Sequence, residues 1–85
     1  MLIAKLAYYE KRDWKRFLKS IDDSHRMHDT WEEWHKEYNK AKKNLRSEGF
    51  VVTEIVVDID ELQNYCKVRG IKNNGKARSG FVVDK

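Results

Sequence analysis

The chain has 85 residues, which leaves room for one hydrophobic core and excludes a multidomain enzyme. Its residues are 38% charged and 40% hydrophobic, too apolar for a disordered chain and too polar for a membrane span. The net charge of +4 permits a nucleic-acid or acidic partner without requiring one.

The opening Leu2 to Tyr9 alternates as a strand, with Leu2, Ala4, Leu6 and Tyr8 forming one wholly apolar face; a helix merging into the next segment is the competing reading, since the segment holds good helix formers and no breaker. From Lys11 to Asp22 the period changes. Trp14, Phe17, Leu18 and Ile21 fall on one stripe of an amphipathic helix, and Lys11, Arg12, Lys15, Arg16 and Lys19 fill the rest of the wheel. Asp22 to Asp29 loses the stripe and reads as a polar connecting loop. Thr30-Trp31-Glu32-Glu33 is a reciprocal capping pattern, so a long helix is expected over about residues 31 to 48. Its seam is Trp31, Trp34, Tyr38, Ala41 and Leu45, and Gly49 supplies the left-handed stop.

Phe50 to Val57 is β-branched almost throughout and predicts a second strand. Asp58 then acts as a cap, with Glu61 three residues later, for a helix that buries Ile59, Leu62, Tyr65 and Cys66 and ends at Gly70. Asn73-Asn74-Gly75 is a turn or a new cap. The tail, Lys76 to Val83, reads as a short helix burying Ala77 and Phe81, with a terminal strand as the alternative. The expected fold is α+β: a single two-layer domain over residues 1–85, about four helices on a short antiparallel sheet, in the order β-α-α-β-α-α. Two helical passes between the strands carry the chain back to the far end, which makes the strands antiparallel. A two-stranded ribbon is marginal alone, so pairing with a second copy is expected. Cys66 has no intramolecular partner, and Met1 to Lys5 lacks a signal-peptide pattern; both point to a cytoplasmic location.

The layout Tyr8-Tyr9, Asp13-Trp14, Thr30-Trp31-Glu32-Glu33-Trp34, Val57-Asp58-Ile59-Asp60-Glu61-Leu62, Tyr65-Cys66 and Ala77-Arg78-Ser79 resembles a family of small bacterial cytoplasmic proteins with no established activity. Tyr8 and Tyr65 stand where that family carries tryptophan. The resemblance implies a helical tail and a bacterial origin, and it supplies no catalytic residue.

Three histidines, His25, His28 and His35, with Asp29 or Glu32, are a candidate metal set, but their spacing matches no zinc pattern and ordinary solvated histidines are the simpler reading. Cys66 is a candidate nucleophile only in principle. It lies near the C-terminal end of its helix, the wrong pole for a thiolate, and on an apolar stripe. No phosphate-binding glycine loop, nucleophile elbow or paired-cysteine motif occurs. Lys11, Arg12, Lys15, Arg16 and Lys19, together with Lys36, Lys40, Lys43 and Arg46, form candidate phosphate contacts, extended by Lys72, Lys76 and Arg78 in the tail. Solvated helix faces explain the same residues. Trp31, Trp34 and Tyr38 read as core, with a partner or dimer surface as the alternative. The sequence therefore points to a non-enzymatic interaction or regulatory module, homodimeric, without cofactor, metal or membrane partner. A small nucleic-acid-binding protein is the second reading, and a metal- or thiol-dependent enzyme the third.

Overall fold

In the computed structural model, which describes residues 2–85, the chain forms β1 (Leu2–Tyr8), α1 (Trp14–Ser20), α2 (Trp31–Ser47), β2 (Phe50–Val56), α3 (Ile59–Arg69) and α4 (Gly75–Val83). The α+β class holds. Two one-turn 3₁₀ segments, Lys11–Asp13 and Ser24–Arg26, add to the expected order. The first helix is thereby shorter than its stripe suggested, because Lys11–Asp13 is 3₁₀ and Ile21 is already extended at φ −95° and ψ 152°. The tail is helical, opened by Asn74, whose side-chain oxygen accepts from the Ala77 amide at 3.0 Å.

The polar residues that flank each hydrophobic run set the helix ends. Thr30 Oγ1 accepts from the Glu33 amide at 3.2 Å, and the Glu33 carboxylate accepts from the same hydroxyl at 2.9 Å. The reciprocal bond thus closes on the hydroxyl and not on the Thr30 amide. Asp58 repeats the cap for α3 by accepting from the Glu61 amide at 3.1 Å. Gly70 ends α3 at φ +63°, a left-handed conformation that a side chain disfavours and that lets the helix close its last carbonyls.

The expected antiparallel sheet is corrected. β1 and β2 pair in parallel, with Leu2 opposite Phe50 and Tyr8 opposite Val56. The expectation counted two helical passes between the strands, but only one travels the length of the sheet. At seven residues, α1 spans about 10 Å, less than half the roughly 23 Å of a seven-residue strand. It turns across the C-terminal end of the sheet and packs on α3. The 17-residue α2 covers about 25 Å and makes the return alone. One long pass brings β2 in at the same end as β1, and the strands run parallel.

The core gathers at the C-terminal ends of both strands. Tyr9, Trp14, Phe17 and Trp34 form one aromatic group, with Tyr9 and Phe17 ring centroids 4.1 Å apart and Trp14 and Trp34 5.4 Å apart. Val57, just after β2, closes it together with Ile59, Leu62 and Cys66 of α3 and Ala77, Phe81 and Val82 of α4. One face of the sheet packs on α2 through Tyr8, whose ring meets Trp34 and Tyr38 edge-on at 5.7 and 5.5 Å. The seam of α2 fades beyond Tyr38, for Ala41 is exposed and Leu45 only half-buried. The apolar face of β1 is only partly covered: Ala4, Leu6 and Tyr8 are half-buried, and Leu2 lies open.

Candidate functional site

Because the core sits at one end of the sheet, the other end is bare. Leu2 is 58% exposed, Ile3 60% and Val51 46%; at the opposite end of β2, Val56 is 56% exposed as well. These are β-branched or leucine side chains on strand backbone, the type that packs well on a pleated surface when something covers it. β1 has a neighbour on its outer side: α4 packs against it, Lys5 Nζ donates to the Val83 carbonyl at 3.2 Å, and Trp31 Nε1 donates to the Tyr9 carbonyl at 2.8 Å. Among the described residues, no backbone–backbone hydrogen bond leads outward from either strand, so β1 is set apart from β2 by these side-chain bonds and by α4. Beside the free edge of β2, the Tyr38 hydroxyl donates to Glu54 at 2.8 Å, and Lys42 approaches the same carboxylate at 3.6 Å. The Tyr38 bond and then Lys42 hold the Glu54 carboxyl below its usual range, although its partial desolvation opposes them. Burial, followed by that hydrogen bond, raises the Tyr38 phenol.

A second constellation lies where the loop after α1 meets α4. Arg78, only 7% exposed, sends Nη1 and Nη2 to the Asp23 carboxylate at 2.8 and 3.0 Å. Nη1 also donates to the Asn73 carbonyl at 3.2 Å, and the guanidinium lies 5.5 Å from the Phe17 ring. Asp23 accepts in addition from the Gly75 amide at 3.1 Å, so the anion that suits the α4 N-terminus comes from the chain itself. Asp22 and Asn73 clasp each other through two bonds, Asp22 N–H to the Asn73 carbonyl at 2.9 Å and Asn73 N–H to the Asp22 carboxylate at 2.7 Å. The Arg78 hydrogen bonds hold the Asp23 carboxyl below its usual range. Burial pushes the neighbouring Tyr9 phenol up to about 12, with Arg78 opposing. The joint ties three chain segments together; Asp22, Asp23 and Arg78 are paired within it, whereas the buried Asn73 side chain has no hydrogen-bond partner among the described residues.

Arg78 therefore does not serve as the phosphate contact that its place in the basic tail suggested; it is enclosed and bidentate to Asp23. The signal was present in the sequence, since Arg78 shares a helical face with Phe81 and Val82, an apolar stripe where an isolated cation demands a buried anion. Of the cations on and before α1, Lys11 pairs with Glu32 at 2.8 Å, Arg12 with Glu10 at 3.4 Å and Arg16 with Asp60. Lys15 and Lys19 are exposed without an ion pair among the described residues. Lys36, Lys40 and Lys43 are exposed along α2 and likewise have no carboxylate within ion-pair reach.

Trp34 and Tyr38 are buried inside the chain and Trp31 is half-buried, its indole donating to the Tyr9 carbonyl just beyond β1 and its ring stacked on His35 at 4.3 Å. His25 is exposed and His28 half-buried, and among the described residues no three side chains of His, Cys, Asp or Glu converge. Cys66 lies in the core, where burial first and the Asp22 charge second raise its thiol above the ordinary range. A raised thiol is a poor nucleophile at neutral pH. No helix among the described residues is long and apolar enough to cross a membrane. The open sheet was the part that sequence reasoning missed; the strands were legible, but which end the helices would leave uncovered was not. Comparison with protein-family models, with curated proteins and with solved structures finds no match for this chain.

Proposed function

We propose that this chain is a non-enzymatic interaction module of the bacterial cytoplasm that acts as a homodimer, joined through its sheet. The observation that supports it is a two-stranded sheet with a bare end, where Leu2, Ile3 and Val51 are each about half exposed or more, and with a further exposed apolar residue, Val56, at the other end of β2. Isolated two-stranded sheets gain stability from a further strand, and open strand edges are sites of association. The side chains most suited to chemistry are occupied elsewhere: Cys66 in the core, Arg78 and Asp23 with each other. Sedimentation velocity over about 5 to 500 µM tests the reading, because a micromolar dimer changes its weight-average mass across that range. A monomeric mass throughout removes it.

The exposed stripe Lys36, Lys40 and Lys43 supports a second reading, the tracking of phosphates along α2. Binding of mixed-sequence RNA or DNA that weakens steeply with added salt would favour it. Affinity indifferent to salt, or none at low salt, would discard it.

A further inference from the structure

We infer that a second copy of this chain pairs with the outer edge of β2, antiparallel and centred on Thr53, so that two protomers share one four-stranded sheet. This rests on the homodimer reading above and assigns its surface and register.

The backbone sets which groups are free. Val57 N–H donates to the Tyr8 carbonyl at 2.9 Å, so the odd-numbered residues of β2 turn their amides and carbonyls toward β1. Phe50, Val52, Glu54 and Val56 turn theirs outward. A two-fold axis at Thr53 places Phe50 opposite Val56 of the second copy and Val52 opposite its Glu54, and all four outward residues exchange bonds. Moving the axis to Glu54 sets like charges face to face, and moving it to Val52 strands Val56; either shift forfeits one of the four pairs.

Side chains choose the same arrangement. Since Leu2 is in register with Phe50 and Tyr8 with Val56, the shared sheet carries a continuous row of Leu2, Phe50, then Val56 and Tyr8 of the second copy. On the opposite face, Ile3 and Val51 continue into Ile55 and Ala7 of the second copy. Each molecule's bare end therefore comes to lie beside the covered end of its twin, where the core and the start of α2 sit. A parallel pairing would set bare end beside bare end. On the face shared with Ile3, the edge residues Val51, Thr53 and Ile55 carry no charge to oppose themselves; on the other face Glu54 and its counterpart stand diagonally, about 7–8 Å apart, each bonded to Tyr38 and approached by Lys42 of its own chain. Lys5 and its counterpart stand three strand spacings apart, about 14 Å, beyond the screening length of roughly 8 Å at physiological salt.

A seven-residue edge about 23 Å long and about 20 Å across, counting side chains on both faces, encloses on the order of 450 Å² per copy. The total, about 900 Å², lies just below the size of stable assemblies and indicates a reversible dimer.

The test places Thr53→Cys in a Cys66→Ser background. Facing residues in a non-hydrogen-bonded antiparallel pair lie about 4.5 Å apart at Cα, within disulfide reach. Mild oxidation of the full chain should convert most of it to covalent dimer, whereas Lys5→Cys in the same background should remain uncrosslinked. Val52→Pro removes an outward amide that the monomer does not use, so it should keep the circular dichroism of the wild type and lose the dimer in sedimentation. A wild-type dimer that survives Val52→Pro and leaves Thr53→Cys uncrosslinked overturns the β2 assignment while leaving homodimerisation standing. A wild-type chain monomeric at every concentration overturns both, and would leave the edge to a strand of another protein.

Discussion

Replacing Asp23 by alanine should be among the most damaging single changes outside the aromatic core. It deletes both bonds to Arg78, at 2.8 and 3.0 Å, and leaves a nearly enclosed guanidinium with one carbonyl, Asn73 O at 3.2 Å. Removing one partner of a buried ion pair costs about 3–5 kcal/mol. Asp23 keeps 16% of its side chain in contact with solvent, so the expected loss falls near the lower bound, about 3 kcal/mol. The Gly75 amide also loses its acceptor, but Gly75 is exposed and water replaces it. An 85-residue domain has roughly 4–13 kcal/mol in all, so the variant gives up about a fifth of its stability or more. At about 4–8 °C per kcal/mol the Tm should fall by about 12 °C or more. Urea titration followed by the fluorescence of buried Trp14 and Trp34 measures the loss. Arg78→Met in the same background should recover part of it, because an apolar pair of similar volume no longer strands a charge; the two single costs should exceed the double by at least about 1 kcal/mol. If Asp23→Ala lies within about 0.5 kcal/mol of wild type, the guanidinium reaches water unaided and the joint is an ordinary surface pair.

Acid should act through the same carboxylate. Its folded pKa lies below the unfolded value, so its stabilisation is complete above about pH 4 and is lost as pH falls through the folded value. Urea midpoints should therefore fall more steeply below about pH 4 for the wild type than for Asp23→Asn, and parallel acid limbs would contradict the assignment. Native Cys66 should react with a neutral alkylating reagent at pH near 7.5 at least tenfold more slowly than in urea, reflecting its burial and raised thiol. Equal rates in the two conditions would place the thiol at the surface.

Local chemistry determined the elements by itself. Thr30 with Glu33 and Asp58 with Glu61 satisfy amides a few residues away, and the run Phe50 to Val57 favours extended backbone whatever surrounds it, so these features were legible in order along the chain. The tail was read as a helix from the spacing of Ala77 and Phe81, with a terminal strand left open, and the Asn74 cap, again a local bond, is what decides for the helix. The direction of β2 was not legible. It depends on whether α1 runs along the sheet or across its end, a matter of helix length and of the contact with α3, and a stripe of apolar residues does not state how many of them the helix will hold. The joint of Asp23 with Arg78 was hidden for a related reason, since the partners stand 55 residues apart and only folding shows that the cation on the apolar face of α4 meets an anion. Tertiary packing also decided which end of the sheet the aromatic side chains would cover. Tyr9, Trp14, Phe17 and Trp34 collapse around the ends of the strands, and there are too few large side chains to enclose Leu2, Ile3 and Val51 as well. Alternation marks which side of a strand is apolar, but the burial of that side depends on the mass of side chains brought to it from elsewhere in the chain.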